Sequence, residues 1–306
     1  MPSLIGESKR SEACHFPPIM MQIGIFAKTF PGPLEHCLDV VASYGLHTIQ
    51  FNFSCVGPGA PSLPDRIEHS LAQRIHLETE RRSIKIAAVS GTFNMIHPDQ
   101  AKRQAGLRRL RELAGACAGI GTSIITLCTG TRDPEDMWQA HPANASPEAW
   151  TDLIASIQEA LLIAEQYNLI LGIEPETANV VSSAQAAYRL LQEMQSPHLK
   201  IIIDPANLFH GGDLPYMHEV LDRAFDLLGS EIVLAHAKDV SFDGQAIHHV
   251  AAGKGLLDYE YYLGLLQSIR TQNRSVPLIL HGLQVTEVKN SLEFLRTAIH
   301  KVEGAA

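Results

Sequence analysis

The chain has 306 residues, 45% of them hydrophobic and 19% charged, so it is long enough to bury a large core without disulfides or structural metals. Its 24 Lys and Arg residues against 33 Asp and Glu residues give a net charge of −9, which argues against a nucleic-acid partner. No run approaches the roughly 18 uncharged apolar residues of a membrane helix, so we expect no membrane partner.

The first twenty residues show no helix or strand periodicity and no apolar region typical of a signal peptide. We therefore expect residues 1–20 to form a flexible arm and the folded domain to span residues 21–303. The five cysteines are scattered without Cys-x-x-Cys spacing, which is typical of a reduced protein. The predicted location is the cytoplasm.

From Met21 onward one pattern occurs eight times: a short apolar run, a polar loop and a segment with helical periodicity. The runs begin between 26 and 46 residues apart, a distance that suits a strand, a loop and a helix. Several runs are apolar almost throughout, as expected for parallel strands covered on both faces. The predicted strands are residues 22–27, 48–53, 84–90, 123–129, 169–174, 200–204, 232–237 and 277–281.

Eight alternating strand and helix segments fit either a closed (β/α)₈ barrel or a long doubly wound sheet. The first run is not followed by the Gly-x-Gly-x-x-Gly turn of a dinucleotide-binding sheet, and the number of units is eight. The sequence therefore predicts an α/β fold formed by a single (β/α)₈ TIM barrel. In such a barrel the chemistry lies at the C-terminal ends of the strands and in the loops that follow them.

The last four predicted strands end in residues that can bind a metal ion, namely Glu174, Asp204, His236 and His281. A single Asp or His at a strand end is commonly a helix cap, but four in consecutive strands are hard to explain by capping. Carboxylate oxygens and imidazole nitrogens together suit a divalent cation. We therefore predict a metal site with these four residues as ligands.

The motifs around these residues resemble a known family in their order along the chain. They are Ile-Glu-Pro-Glu, Ile-Ile-Ile-Asp-Pro-Ala-Asn, Leu-Ala-His-Ala-Lys-Asp and a later Gly-Lys-Gly. In this order they resemble the xylose isomerase-like barrel superfamily of sugar and sugar phosphate isomerases and epimerases, which includes endonuclease IV and inosose dehydratase. The resemblance implies one divalent metal ion, Mn²⁺ first, with Co²⁺, Mg²⁺ or Zn²⁺ as alternatives. By position, Glu174, Asp204 and His236 resemble three metal ligands of the family.

The sequence departs from the family at the end of the eighth strand. The usual fourth ligand there is a Glu that doubles as a catalytic base in the epimerases, whereas this chain has His281. An imidazole can still bind a metal, but the proton transfer must then follow a different scheme. Asn207 stands where the endonuclease IV branch has a His, which argues against a trinuclear zinc site and against DNA repair.

Two substrate-binding candidates follow predicted ligands along the chain. Glu176 lies two residues after Glu174, so on a strand its side chain points to the same side. It either hydrogen-bonds a sugar hydroxyl or caps the following loop. Asn207 lies in the loop after Asp204, where it either contacts the substrate or belongs to a turn.

Three further candidates lie in longer loops. The polar segment 129–150 contains Trp138, which either stacks on a sugar ring or anchors the loop, and long loops on this side of a barrel serve as lids. The Pro- and Gly-rich segment 54–65 is a second predicted lid. By resemblance to the family, His249 belongs to a loop that faces the substrate or its phosphate, and Lys238 occupies a position that often faces the active site.

These features predict a metal-dependent isomerase or epimerase of a sugar or keto-sugar that forms an enediolate, with the question of a phosphate on the substrate left open. Glu174, His281 and Lys238 are the candidates for moving the proton. One alternative is a lyase or dehydratase acting on a keto-polyol or keto-glycoside, which the missing strand-eight Glu favours. Another is an inactive barrel that serves as a partner subunit. The predicted partner is a small carbohydrate, and a homo-oligomer remains open.

Overall fold

The computed structural model describes residues 21–270 and 275–304, so the predicted arm 1–20 lies outside the described residues. Within them, eight parallel strands close into a barrel with helices on its outside, which confirms the predicted single (β/α)₈ TIM barrel. The strands are β1 (Ile23–Phe26), β2 (Thr48–Phe51), β3 (Lys85–Ser90), β4 (Ile124–Cys128), β5 (Ile170–Glu174), β6 (Leu199–Ile203), β7 (Ile232–Ala237), β8 (Asp239–Phe242), β9 (Ile247–Val250) and β10 (Leu278–Leu280).

The barrel closes through β1, which pairs in parallel with β2 on one side and with β10 on the other. Around the barrel the order is β1, β2, β3, β4, β5, β6, β7 and β10. The main helices are α1 (Leu34–Ser43), α2 (His69–Glu80), α3 (Gln100–Ile120), α4 (Pro147–Tyr167), α5 (Ala184–Met194), α6 (Met217–Leu228), α7 (Tyr259–Ser268) and α8 (Val288–Gly304). No helix in the described ranges is both long and apolar enough to cross a membrane.

Local sequence signals explain where the helices begin and end. Asp99 caps the first turn of α3 by accepting a hydrogen bond from the backbone N–H of Ala101 at 2.8 Å. The same helix ends at Gly121, whose φ of 82° is the left-handed conformation that favours glycine. The sequence thus predicted this helix, over 101–121, to within one residue at each end.

One antiparallel hairpin departs from the predicted pattern. After β7 the chain forms β8 and β9, with Asp239 opposite Val250 and Phe242 opposite Ile247. The sequence did not predict it because its second strand carries two neighbouring His residues and both strands have only four residues. The hairpin stands at the C-terminal end of β7 and brings His249 to the mouth of the barrel.

The core has two parts, separated by the wall of strands. The larger part packs the outward-facing strand residues against the helices. The smaller part fills the inside of the barrel with Phe26, Ala87, Ala88, Ile202, Leu234 and Ile279. Side chains alternate between the two faces of a regular strand. The residues two positions after Ile202, Leu234 and Ile279 are therefore expected to point inward as well, toward the C-terminal end of the barrel.

Candidate active site

Strand periodicity brings the predicted metal ligands together at the C-terminal end of the barrel. Ile202, Leu234 and Ile279 fill the barrel interior, and two residues after them come Asp204, His236 and His281. The same rule applies to Glu174, because a Cβ at Gly172 would meet the interior side chain of Ile202 at 2.4 Å. The four side chains therefore point inward, directly above the apolar interior of the barrel.

Ligand atoms of Asp204, His236 and His281 lie within 4.8 Å of one another, and Glu174 adjoins this shared point through Nδ1 of His236. The Nδ1 atom of His236 lies 3.3 Å from Oε1 of Glu174 and 3.6 Å from Oδ2 of Asp204. Both Asp204 and His236 are 0% exposed. The Oδ1 atom of Asp204 accepts a hydrogen bond from the backbone N–H of Ala206 at 3.0 Å. Its buried Oδ2 has no hydrogen-bond partner in the described part of the chain, which leaves an acceptor directed at the shared point.

The other ring nitrogen of His236 is held by a residue from the opposite side of the barrel. Its Nε2 lies 2.8 Å from Oε1 of Gln50 on β2, and Nε2 of Gln50 donates to Oγ1 of Thr126 at 3.1 Å. An amide oxygen only accepts hydrogen bonds, so the proton of the imidazole lies on Nε2. In the neutral ring, the lone pair of Nδ1 then faces the carboxylates of Glu174 and Asp204.

This arrangement of acceptors needs a positive charge between them. Burial by itself would lower the pKa of His236, but the negative charge of Glu174 and the nearby carboxylate of Asp204 outweigh it and raise the pKa to about 9. A proton on Nδ1 supplies the charge, and so would a divalent cation bound by the neutral ring. The converging oxygens and nitrogen, with the unbonded Oδ2 of Asp204, fit a metal ion of the type that takes mixed oxygen and nitrogen ligands.

His281 lies next to this point, with its ring stacked on the ring of His236. Its ring stacks on His236 at 4.6 Å with an interplanar angle of 5°, and on Phe26 of β1 at 5.2 Å. A ligand atom of His281 lies within 4.8 Å of those of Asp204 and His236, and its buried Nδ1 has no hydrogen bond to the described residues. Asp204, His236 and His281 would therefore be able to hold one divalent cation together.

Electrostatics keep the two stacked rings in different protonation states. Burial, followed by the positive charges of His236 and Lys238, holds the pKa of His281 well below its usual range. The ring of His281 is therefore neutral, and its nitrogen lone pair is available to a metal ion or to a substrate proton.

Lys238 and Asn207 connect the site into one hydrogen-bonded network. The Nζ atom of Lys238 donates to Oδ1 of Asn207 at 2.7 Å and lies 3.4 Å from Oδ2 of Asp204. The amide of Asn207 in turn donates to Oε1 of Glu174 at 2.8 Å. Although burial opposes the charge on Lys238, the carboxylates of Asp204, Glu174 and Glu176 raise its pKa above the usual value. Lys238 therefore carries a positive charge beside the carboxylate oxygens.

A cavity of about 590 Å³ opens above this network. It places the predicted lid segments 54–65 and 129–150 at the same barrel end as Glu174, as expected, because Ser62 and Trp138 line it with that residue. The lining also includes Glu176, Asn207, Lys238, His249 and His281, whereas Asp204 and His236 lie below it.

Two ionisable groups that line the cavity have shifted pKa values. Burial raises the pKa of Glu176 to about 7; the charge of Lys238 opposes this shift, and the carboxylates of Glu174 and Asp204 add to it. Burial and the charge of Lys238 lower the pKa of His249. Near neutral pH Glu176 can accept or release a proton, which is the property of a general acid or base.

The structure adds one residue to the set that the sequence predicted. Gln50 is 3% exposed, lies in the middle of the predicted strand 48–53 and holds the imidazole of His236. A polar residue at an inward-facing position of a barrel strand is the signal that identifies it. Because Gln50 does not lie at a strand end, it was not among the predicted site residues.

Comparisons with known proteins agree with this fold. The model of the protein family described as xylose isomerase-like TIM barrel matches residues 38–298. No protein sequence with a curated function matches the chain.

Solved structures share the whole fold at low sequence identity. The apo form of the 3-keto-D-glucoside 4-epimerase YcjR from E. coli is 16% identical, with a TM-score of 0.69 over 90% of this chain and 99% of its own. A D-tagatose 3-epimerase-like protein is 14% identical, with a TM-score of 0.72 over 94% of this chain and 100% of its own. The IolI protein with a bound zinc atom is 15% identical, with a TM-score of 0.67 over 92% of this chain and 98% of its own.

Proposed function

Because the chain belongs to the xylose isomerase-like TIM barrel family, we propose that it is a divalent-metal-dependent isomerase or epimerase of a sugar or keto-sugar. One observation carries the proposal: ligand atoms of Asp204, His236 and His281 lie within 4.8 Å of one another, and the buried Oδ2 of Asp204 has no hydrogen bond to the described residues. Glu174 adjoins this cluster, because its Oε1 lies 3.3 Å from Nδ1 of His236. The epimerase named among the similar structures acts on a keto-sugar derivative, and the zinc-bound IolI structure supports a metal in this type of barrel.

The proposed ligands are Glu174, Asp204, His236 and His281. Two carboxylates and imidazole nitrogen favour Mn²⁺, with Co²⁺, Mg²⁺ and Zn²⁺ as alternatives. When bound, the cation supplies Lewis acidity that stabilises negative charge on a substrate carbonyl oxygen.

The side chains around the site would bind the substrate and move its proton. Asn207 holds Oε1 of Glu174, which fixes the direction of that carboxylate. Glu174 or Glu176 accepts the proton from the carbon next to the carbonyl, since both carboxylates line the cavity. Lys238 or His281 returns it, to the opposite face of the same carbon in an epimerase or to the neighbouring carbon in an isomerase.

The remaining lining residues would hold the substrate in place. Asn207 and Glu176 offer hydrogen bonds to sugar hydroxyls from the floor and the wall of the cavity, and His249 and Trp138 contact the substrate from its rim. Together they would exclude water from the proton that is transferred.

The stacked His281 favours a second candidate function. In place of a carboxylate, the end of β10, the eighth strand of the barrel, has the neutral ring of His281 packed between Phe26 and His236. Such a ring cannot act as a second carboxylate base, so epimerisation with a Glu on each side of the carbon is not available. The alternative is a lyase or dehydratase that loses a β-substituent of a keto-polyol or keto-glycoside after the same first proton transfer.

One experiment distinguishes these candidates. The purified protein is incubated in D₂O with Mn²⁺, Co²⁺ or Mg²⁺ and a panel of ketoses, keto-inositols and 3-keto-glycosides, and the products are followed by NMR. Exchange of a C–H proton with retention of all substituents supports the isomerase or epimerase, whereas a dehydrated or cleaved product supports the lyase. A protein that binds no divalent metal and exchanges no proton would contradict both and favour an inactive barrel.

A further inference from the structure

The cavity has a buried floor and an exposed rim of different chemistry. Its floor consists of buried side chains that carry hydroxyl, amide or ionisable groups: Gln50, Asn52, Ser90, Thr126, Glu174, Asn207 and Lys238. Its rim includes Met137 and Trp138, neighbours on the loop after β4, and Trp138 is 53% exposed. A sugar ring suits the floor, and an aromatic side chain at the rim suits an apolar or flat surface.

The cavity is larger than a single sugar ring requires. If each of the ~12 non-hydrogen atoms of a hexose took the ~30 Å³ that a water molecule occupies in the liquid, the hexose would fill ~360 Å³. The cavity encloses about 590 Å³. Because ~360 Å³ is an upper limit for the sugar, a hexose on the floor would leave part of the cavity unfilled, on the side of the exposed indole of Trp138.

Hydrogen bonds hold the loop that carries the aromatic ring. The backbone N–H of Trp138 donates to Oδ1 of Asp136 at 2.9 Å, and the carbonyl of Met137 accepts from Nδ2 of Asn179 at 3.4 Å. Asn179 also accepts a hydrogen bond from the backbone N–H of Gly130 at 2.6 Å. The indole is therefore presented to solvent by an ordered segment, which reduces the entropy lost when a ligand stacks on it.

A phosphate group would not find its usual place in this barrel. Phosphate sites in (β/α)₈ barrels are frequently built from backbone N–H groups in the loops after the seventh and eighth strands. Here the N–H groups of Val240, Gly253, Gly255 and Leu257 donate to the carboxylate of Asp239 at distances from 2.8 to 3.1 Å. The protein's own carboxylate thus occupies the position of an anion in this loop.

The cations that line the cavity are also engaged. Lys238 bonds to Asn207 and lies against Asp204, and the ammonium of Lys28 lies 4.5 Å from the ring centroid of Phe26. None of the described residues that line the cavity is an arginine, the side chain best suited to bidentate phosphate binding.

We propose that Met137 and Trp138 form an outer binding site for an uncharged ring joined to the sugar on the cavity floor, so that the substrate is a glycoside and not a free sugar or a sugar phosphate. The proposal rests on the proposed function for the chemistry at the floor. It assigns Trp138 to recognition of the second ring, with no part in the proton transfer.

The test compares matched pairs of unreactive ligands by calorimetry on the full chain with Mn²⁺. The probes are the phenyl and methyl β-D-glucosides, the phenyl and methyl β-D-galactosides, and glucose 6-phosphate. We expect a phenyl glycoside to bind about tenfold more tightly than its methyl partner, because stacking on an indole contributes roughly that much. Trp138→Ala should abolish the difference by weakening the binding of the phenyl glycoside, whereas Trp138→Phe should retain most of it.

Trp150 provides the matched control, since the chain has 2 Trp residues and this one bonds to Glu193 outside the cavity. Trp150→Phe should leave the preference for phenyl glycosides intact. The proposal is overturned if no phenyl glycoside binds more tightly than its methyl partner, if Trp138→Ala weakens both members of a pair equally, or if glucose 6-phosphate binds most tightly.

This test is separate from that of the proposed function, because binding needs no turnover. Proton exchange with ketoses in D₂O but no preference for a phenyl glycoside would refute only the outer site. A Trp138-dependent preference without proton exchange on any substrate would refute only the proposed chemistry.

Discussion

Gln50 and His236 meet across the inside of the barrel, where the amide oxygen of Gln50 on β2 accepts a hydrogen bond from Nε2 of His236 on β7 at 2.8 Å. This bond assigns a proton to Nε2. In the neutral ring, the lone pair of Nδ1 therefore faces the carboxylates of Glu174 and Asp204. Partners of this kind fix the tautomer and orientation of metal-binding His residues in other proteins. Gln50 is thus a positioning residue of the candidate metal site.

We expect Gln50→Leu to weaken Mn²⁺ binding by about 10-fold to 100-fold, the usual effect of removing such a partner. The imidazole of His236 would then be free to adopt the other tautomer or to turn. Titration calorimetry of the apoprotein with Mn²⁺ measures the effect. Gln50→Glu keeps an acceptor for Nε2 and should bind Mn²⁺ more tightly than Gln50→Leu does. Equal affinity in Gln50→Leu and the wild type would show that Gln50 only packs against the ring.

Removing a proposed ligand should remove the metal as well as the activity. Glu174→Gln, Asp204→Asn and His236→Ala each eliminate a charge or a donor atom at the shared point, so we expect each purified variant to contain far less metal than the wild type. Elemental analysis after equilibration with Mn²⁺ gives the metal content. Asp243→Asn is the matched control, because Asp243 is exposed in the turn of the β8–β9 hairpin. Full metal content in all three ligand variants would refute the assignment.

The sequence predicted the positions of Glu174, Asp204 and His236 because they depend on local periodicity alone. Each of the three follows an inward-facing residue by two positions, and the C-terminal ends of parallel strands meet at one end of a barrel. The eight strands were also predicted to within two residues at each end, since apolar runs between polar loops define them.

The contacts of Gln50 and the orientation of His281 could not be predicted from the sequence. His281 stacks on Phe26 because β1 and β10, at opposite ends of the sequence, pair when the barrel closes. Gln50 reaches His236 across the same closed interior. Both relationships depend on the diameter and register of the barrel, which no local pattern of residues specifies.

The role of His281 can be tested by keeping its stacking and removing its nitrogens. In His281→Phe the ring can still pack between Phe26 and His236, but the unbonded Nδ1 is lost. We expect this variant to fold and to bind Mn²⁺ more weakly than the wild type, and His281→Glu to retain the metal because a carboxylate restores the family's usual ligand. Calorimetry with Mn²⁺ measures both. If His281→Phe binds like the wild type, His281 is a packing residue and the metal has three protein ligands.

The loop held by Asp239 makes a prediction about stability. A Cβ at Gly255 would lie 2.2 Å from the carbonyl oxygen of Val240 and 2.3 Å from Oδ1 of Asp239, so Gly255→Ala must displace the carboxylate that accepts four backbone hydrogen bonds. We expect a loss of about 2–4 kcal/mol in the free energy of unfolding, because a displaced carboxylate leaves buried N–H groups unbonded. Urea unfolding followed by circular dichroism measures the loss.

Gly264, in the middle of α7, provides the matched control for Gly255. A Cβ there meets no atom within 4 Å, so Gly264→Ala introduces no collision. Alanine also restricts the unfolded chain more than glycine does, so we expect Gly264→Ala to stabilise the protein by about 0.5–1 kcal/mol. The two substitutions add the same methyl group with opposite predicted signs. If Gly255→Ala unfolds at the same urea concentration as Gly264→Ala, the Asp239 carboxylate does not hold the loop in the way that its four hydrogen bonds indicate.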